Sequence, residues 1–119
     1  MNGSKPLSHA VARYIRMSPQ KGRLVADLIR DRLAGEALTI LRFSDKKKIA
    51  AILQKVLRSA IANAQQKSPN VDVDKLYISR IQINGGPVAK RIRPAPMGRA
   101  YRVQKRTSHV HIYLDEKGR

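Results

Sequence analysis

Hydrophobic residues change their spacing once along this chain, and the change separates a helical part from a strand part. Over about 46–66 they recur at alternating steps of three and one, which is the pattern of one helix face. Ser44 is expected to cap this helix, and Asp45 to complement its dipole in the first turn. Beyond Leu76 apolar and polar residues alternate, which is typical of half-buried strands. The stripe of the long helix comprises Ile49, Ile52, Leu53, Val56, Leu57, Ala60, Ile61 and Ala64.

Local signals predict three shorter elements before the long helix. Apolar and polar residues alternate over about 9–17, which predicts a strand. Ser18 followed by Pro19 predicts the start of a helix over about 19–31, because serine caps helices and proline is tolerated in their first turn. A second short helix is predicted over about 34–42 from its apolar residues.

The two strands near the end of the chain, LYISRIQIN and SHVHIYL, are expected to pair as an antiparallel hairpin. If Ile83 faces Val110, the turn falls within residues 95–98, where the order of proline and glycine suits a type I turn. The same register places Ile81 opposite Ile112. The four isoleucine and valine side chains then form one apolar face that can pack on the long helix.

The outer part of this hairpin, within about 85–107, has no such apolar face. The same register opposes Arg91 with Arg102 and Ile92 with Tyr101, and like charges directly opposite each other destabilise a hairpin. A two-stranded ribbon without a core is also marginal in water. The extended hairpin therefore requires a partner that supplies negative charge.

The composition points to the same partner. Lys and Arg number 25 against 8 Asp and Glu, which gives a formal charge of +17. A polyanion is the expected partner, nucleic acid before a membrane surface. No apolar run approaches the roughly 20 residues of a membrane span. A membrane-surface protein would need a helix with an exposed apolar face, and the stripe of the long helix is the only available core, so no membrane association is expected. We expect a flexible leader over 1–8 and a single RNA-binding domain over 9–119, and the absence of cysteine favours the cytoplasm.

Nothing in the chain indicates an enzyme. There is no arrangement of nucleophile and base and no glycine loop that cradles phosphate. The pair His109 and His111 lacks a third ligand nearby, so no metal is expected. The acidic pairs near 72–74 and 115–116 are expected to be solvated. We therefore expect no catalytic residue, no cofactor and no metal.

Three segments carry a resemblance to a known family: RMSPQKGRLVADLIR at 16–30, VLRSAIANA at 56–64, and GPVAKRIRPAPMGRAYRVQKRTSH at 86–109. With them the chain resembles the bacterial-type large-subunit ribosomal proteins numbered twenty-second, over about 9–114. The resemblance implies an α+β fold, with three helices packed on a small antiparallel sheet and a long protruding β-hairpin. It implies a structural constituent of the large ribosomal subunit that binds large-subunit ribosomal RNA and supports assembly.

The resemblance also implies partners and site residues. The partners are large-subunit ribosomal RNA, neighbouring large-subunit ribosomal proteins and, near the hairpin tip, the nascent peptide in its exit tunnel; no homo-oligomer is expected. Where the family usually has basic residues flanking the tip alanine, this chain has Ala95, Pro96 and Met97. The arms are expected to contact RNA through Lys90, Arg91, Arg102, Lys105 and Arg106. The tunnel-facing tip is expected to comprise Arg93, Pro94, Ala95, Pro96, Met97, Gly98 and Arg99.

Basic residues around the predicted first strand and first helix form a second candidate RNA contact, where a helix N-terminus and cations together can bind phosphate. His109 is expected to be exposed or stacked on RNA. For Lys46–Lys48, a solvated helix face and direct RNA contact both remain open. The cations around the first strand and first helix are Arg13, Arg16, Lys21 and Arg23.

The alternative function is a DNA-architectural protein that grips nucleic acid with a basic, proline-tipped ribbon arm.

Overall fold

The computed structural model describes residues 6–85, 89–94, 100–105 and 107–117, and for the strand residues 89–94 and 100–105 it describes the backbone. The α+β fold predicted from the sequence is confirmed. The helices are α1 (Pro19–Ile29), α2 (Ala34–Arg42) and α3 (Lys47–Lys67), with a 3₁₀ turn at Val73–Lys75. The strands are β1 (Ser8–Ile15), β2 (Leu76–Gly85), β3 (Ala89–Pro94), β4 (Ala100–Lys105) and β5 (Ser108–Glu116).

Strands β1, β5 and β2 form an antiparallel sheet in that order, with β5 in the centre. Ile81 pairs with Ile112 and Ile83 with Val110, as predicted, and all four side chains are buried. Helix α3 packs on β1 and β5, and α1 packs on β2. The helices therefore cover one face of the sheet, and alternate strand residues supply the core beneath them.

Helix α3 buries the predicted stripe. Most of its members are buried, while the three isoleucines Ile49, Ile52 and Ile61 are half-buried. The predicted cap is wrong: Lys46 is the N-cap residue, and the first turn contains no acidic residue. The Ser44 hydroxyl instead accepts a hydrogen bond from the Lys46 backbone N–H at 3.2 Å. Serine thus closes a turn two residues before the helix, a local bond that competes with capping.

Strand β1 begins at Ser8, within the range predicted as a leader. Residues 1–5 of that range lie outside the described residues, but Leu7 and Ser8 are each 6% exposed. The Ser8 hydroxyl donates to the carbonyl of Ala60 on α3 at 2.9 Å. At the other end the pairing with β5 is irregular after Ala12, and Tyr14 has a φ of 56°.

The outer edge of β2 is occupied by the connection between α1 and α2. The backbone N–H of Ile78 donates to the Arg32 carbonyl at 2.9 Å, and the Asp31 N–H donates to the Ile78 carbonyl at 3.2 Å. Leu33 then forms an isolated antiparallel bridge with Tyr77. The connection therefore satisfies strand groups that would otherwise face solvent.

Strands β3 and β4 form a separate two-stranded sheet, here called the ribbon; the rest of the described chain, 6–85 and 107–117, is the body. The molecule measures 65 × 30 × 24 Å, so its long axis is more than twice either other dimension. This elongation agrees with the predicted protruding hairpin. The type I turn predicted within 95–98 lies outside the described residues.

The predicted register of the ribbon is wrong by one residue. Arg91 pairs with Val103, and Arg102 pairs with Ile92, so the two arginines do not oppose each other. Three residues separate Gly85 from Ala89, but two separate Lys105 from Ser108, and this extra residue shifts the pairing. The observed register therefore does not place two arginine positions opposite each other, a pairing of like charges that would be destabilising.

Candidate nucleic-acid interface

The start of α1 is the structural centre of the predicted contact on the body. Ser18 is the N-cap residue and Pro19 opens the helix, as predicted, but the Ser18 side chain accepts no capping hydrogen bond. The Ser18 carbonyl accepts the first helical bond, from the Gly22 N–H at 3.0 Å. The first turn contains no acidic residue. The positive end of the helix dipole at this surface is therefore not offset by a carboxylate of its own first turn.

A buried hydroxyl holds this helix start against the sheet. Ser108, fully buried at the beginning of β5, donates to the carbonyl of Met17 at 2.7 Å. The Met17 side chain lies against Gly22, where an added Cβ would be 3.0 Å from its Cε and 3.1 Å from Ile83 Cγ2. Because Gly22 has no side chain, the Met17 side chain can pack against its backbone. This packing orients the chain between Arg16 and Lys21.

Of the predicted body cations, Arg13, Arg16 and Lys21 are exposed and form no ion pair with another described residue. Arg23 differs from them because its Nε donates to the Ile83 carbonyl at 3.1 Å, on β2. Arg30 acts similarly, with Nη1 donating to the Ile81 carbonyl at 3.0 Å while Nη2 bonds to Asp27. The sequence predicts Arg23 only as a cation and does not single out Arg30, but both side chains also fasten α1 to β2.

Arg16 and Lys21 lie on a groove that also includes the lysines at the start of α3. This two-helix groove has a volume of about 370 Å³. The question of a solvated face or an RNA contact for Lys46–Lys48 therefore concerns the same surface as the start of α1. The groove is lined by Arg16, Met17, Ser18, Lys21, Lys46, Lys47, Lys48, Ile49 and Ile52.

His109 anchors an exposed aromatic side chain. Its Nδ1 accepts a hydrogen bond from the Tyr14 backbone N–H at 3.1 Å, and the two rings meet edge to face at 4.8 Å. Because Nδ1 is the acceptor, the Nε2 nitrogen carries the ring proton. Tyr14 remains 65% exposed. The sequence predicts Tyr14 as an ordinary strand residue, because no residue pattern indicates the positive φ of its backbone.

The sheet face opposite the helices carries a stack of rings that sequence reasoning also missed. His9 lies parallel to Tyr113 with ring centroids 4.1 Å apart, and its Nε2 is 3.2 Å from Nδ1 of His111. Burial lowers the pKa of both histidines, and the Arg13 charge lowers each pKa further. Arg80 covers Tyr113 at 5.7 Å from the ring centroid. The pairing of His9 with Tyr113 could have been inferred only once β1 was placed beside β5.

The remaining predicted site residues lie on the ribbon or in the sequence next to its strands. Lys90, Arg91 and Arg93 lie on β3, with Pro94 at its end, and Arg102 and Lys105 lie on β4. The strands bring these basic positions together in one narrow element. The predicted residues that lie outside the described residues are Ala95, Pro96, Met97, Gly98, Arg99 and Arg106.

Two properties of the described residues bear on other functions. Within the described ranges, no group of three or more His, Cys, Asp or Glu residues could hold a metal ion. No helix in the part that the structure describes combines the length and the hydropathy needed to cross a membrane.

Comparison with known proteins identifies the family. Residues 10–115 match the family described as ribosomal protein L22p/L17e. The chain is similar to the large ribosomal subunit protein uL22 of Solibacter usitatus, with 58% identity over 91% of this chain and 95% of that protein. It is also 56% identical to uL22 of Desulfotalea psychrophila, over 92% of this chain and 97% of that protein, and 46% identical to uL22 of Clostridium novyi.

This basic α+β domain is matched by ribosomal proteins along nearly its whole length. Its class is therefore that of structural, non-enzymatic ribosomal proteins. The chain belongs to the ribosomal protein L22p/L17e family. The resemblance inferred from the three sequence segments is therefore confirmed, and so is the prediction that the protein is not an enzyme.

Proposed function

We propose that this protein is a structural constituent of the large ribosomal subunit that binds large-subunit ribosomal RNA and supports subunit assembly in the cytoplasm. The observation that carries the proposal is the match of residues 10–115 to its family, together with relatives named as large-subunit proteins. The formal charge of +17 supports it, because such a chain needs a polyanion to offset its self-repulsion.

The ribbon is the proposed deep contact with RNA. Its basic residues would bind phosphates on both sides, and arginine suits this role because its planar guanidinium pairs with phosphate oxygens and stacks on bases. The described residues of the ribbon form a sheet of two strands, and the marginal stability of such a sheet in water supports the idea that RNA supplies its surroundings. The proposed contacts are Lys90, Arg91, Arg93, Arg99, Arg102, Lys105 and Arg106.

Residues 93–99 are the proposed tip, which would form part of the wall of the exit tunnel near the nascent peptide. On the body, the exposed cations at the start of α1 would bind phosphates, and His109 would contact RNA beside the exposed ring of Tyr14. Neighbouring large-subunit proteins are further proposed partners, and no homo-oligomer is proposed. The proposed body contacts are Arg13, Arg16, Lys21, Arg23 and His109.

Incorporation into subunits tests this proposal. Lysates of cells in which each variant replaces the wild-type copy are sedimented through sucrose gradients, and the large subunits are washed in high salt. We expect stoichiometric retention of the wild type and several-fold lower occupancy of Arg102→Glu, because the new carboxylate repels phosphate. Arg58→Glu, with the same charge change on the exposed face of α3, controls for net charge.

Normal occupancy of Arg102→Glu would contradict the embedded ribbon. Wild-type protein at the top of the gradient, or bound preferentially to bent duplex DNA, would contradict the ribosomal function and favour the DNA-architectural alternative.

A further inference from the structure

The two-helix groove combines an apolar floor with a cationic rim. We propose that this groove binds one unpaired nucleotide of RNA, with its phosphates on the lysine rim and its base against the apolar floor. The inference rests on the proposed RNA-binding function and assigns one site to it. Its volume of about 370 Å³ lies within the range of clefts that hold small ligands, about 300–1,000 Å³.

The floor is built from side chains that the fold already holds in place. Met17 is 6% exposed and packs against Gly22, while its carbonyl accepts the buried Ser108 hydroxyl. Ile49 and Ile52 continue the core stripe of α3 to the point where no element of the body covers them fully, so both remain half-buried. A base can cover this surface without any rearrangement of the protein, which favours binding.

The rim selects the partner. Its five cations are exposed, and none forms an ion pair with a carboxylate of the described chain. Asp45 lines a neighbouring groove with Phe43, and the two grooves share Lys46. Residues at the starts of both α1 and α3 line this surface, and neither first turn contains an acidic residue that would offset the positive end of its helix dipole. The rim comprises Arg16, Lys21, Lys46, Lys47 and Lys48.

The combination favours an unpaired nucleotide over the two nearest alternatives. A paired base keeps both faces stacked within its helix, so it cannot cover an apolar floor. Phosphate contact alone would leave the floor exposed. An acidic peptide could neutralise the rim, but its backbone groups would lie on an apolar floor that offers them no hydrogen bonds.

Binding to purified large-subunit ribosomal RNA, measured over a series of salt concentrations, tests the site. We expect a rim variant, Lys46→Gln with Lys47→Gln and Lys48→Gln, to bind more weakly and to have a shallower salt dependence, by about 0.7 in slope for each phosphate that is no longer neutralised. A floor variant, Ile49→Gln, should weaken binding several-fold with an unchanged slope, because a polar side chain replaces an apolar contact with the base and no charge changes.

Matched controls separate this site from general charge. The triple variant Lys55→Gln, Arg58→Gln and Lys67→Gln removes three cations from the same helix outside the groove, and it should bind close to wild type. Equal weakening by this control, or wild-type binding by Ile49→Gln, would overturn the nucleotide site while leaving RNA binding intact. Failure of the wild type itself to bind would overturn the proposed function and this inference together. Urea unfolding of each variant establishes that it is folded.

Crosslinking identifies the occupant. A photoreactive phenylalanine derivative at Ile52, in assembled large subunits, should crosslink predominantly to one unpaired nucleotide. Crosslinks spread over paired nucleotides would overturn the site, and a crosslink to a neighbouring protein would overturn it in favour of an acidic peptide segment.

Discussion

Strand β5 in the body has a strand on each side and helices over one face, whereas β3 and β4 of the ribbon form a sheet of two. Alternate β5 residues, from Ser108 to Leu114, are fully buried. In the ribbon, basic residues pair with Gln104, Val103 and Tyr101 across the strands. Both regions have regular pairing, and the buried apolar face that the structure describes belongs to the body. Strand pairing and fold stability are therefore separable in this molecule, and variants of the two regions can test that separation.

The largest expected effect comes from the body's core. Leu57 is fully buried on α3, so Leu57→Ala should lower the free energy of unfolding by about 2–5 kcal/mol through reduced burial and a residual cavity. Urea unfolding followed by circular dichroism measures it. Leu24→Ala, at a side chain that is 61% exposed on α1, should change it by less than about 0.5 kcal/mol. Equal effects would contradict the described core.

A smaller loss is expected from one buried hydroxyl. Ser108→Ala removes the donor to the Met17 carbonyl and leaves that acceptor unpaired, which should cost about 1–3 kcal/mol in the same assay. Ser59→Ala, on the exposed side of α3, is the matched control and should be nearly neutral. An unchanged midpoint for Ser108→Ala would mean that the start of α1 is held by packing alone.

Excision of the ribbon should cost less still. Gly85 and Ser108 are a cross-strand pair, so an Asn-Gly turn can replace 86–107 and close the β2–β5 hairpin. The free energy of unfolding should stay within about 1 kcal/mol of the wild type, because the core is untouched and seven positive charges are removed. A non-cooperative transition would show that the body depends on the ribbon.

The smallest effect should be a dependence of stability on pH. Burial and Arg13 lower the pKa of His9, and burial, His9, Arg13 and His109 lower that of His111. Unfolded histidine titrates near pH 6.5, so below that pH the unfolded chain binds more protons and stability falls until the folded pKa is passed. Urea midpoints should therefore drop as the pH falls below about 7. The double variant His9→Gln, His111→Gln should reduce the drop, and an identical drop would assign it to other groups.

The parts of the fold that follow from hydrophobic spacing could be predicted from the sequence. The stripe of α3 and the pairs Ile81–Ile112 and Ile83–Val110 follow from burial, which imposes a period on apolar residues. The start of α1 at Ser18 and Pro19 follows equally well from local chemistry. The partner of β1 could not be predicted, because several pairings would bury its apolar side equally.

Single-residue details escaped prediction for a different reason. The ribbon register depends on one extra residue between Gly85 and Ala89. The cap of α3 depends on which nearby backbone N–H the Ser44 hydroxyl bonds. Each of these two details changes the free energy of folding little, and neither can be read from the spacing of apolar residues. For the site, the basic residues were predictable as charges. The grouping of these basic residues on one surface was not predictable. Arg16 and Lys46 line the same groove only because α1 and α3 pack together.

The occupied edge of β2 affects how the protein behaves among its own copies. Exposed strand edges recruit strands from other chains and begin aggregation. Here the loop after α1 and the guanidinium groups of Arg23 and Arg30 take up backbone groups along that edge. On the opposite edge, Asn63 of α3 donates to the His9 carbonyl at 3.2 Å. The edge of β2 is thus protected against edge-to-edge pairing by α1 and the loop that follows it, before any partner binds the protein.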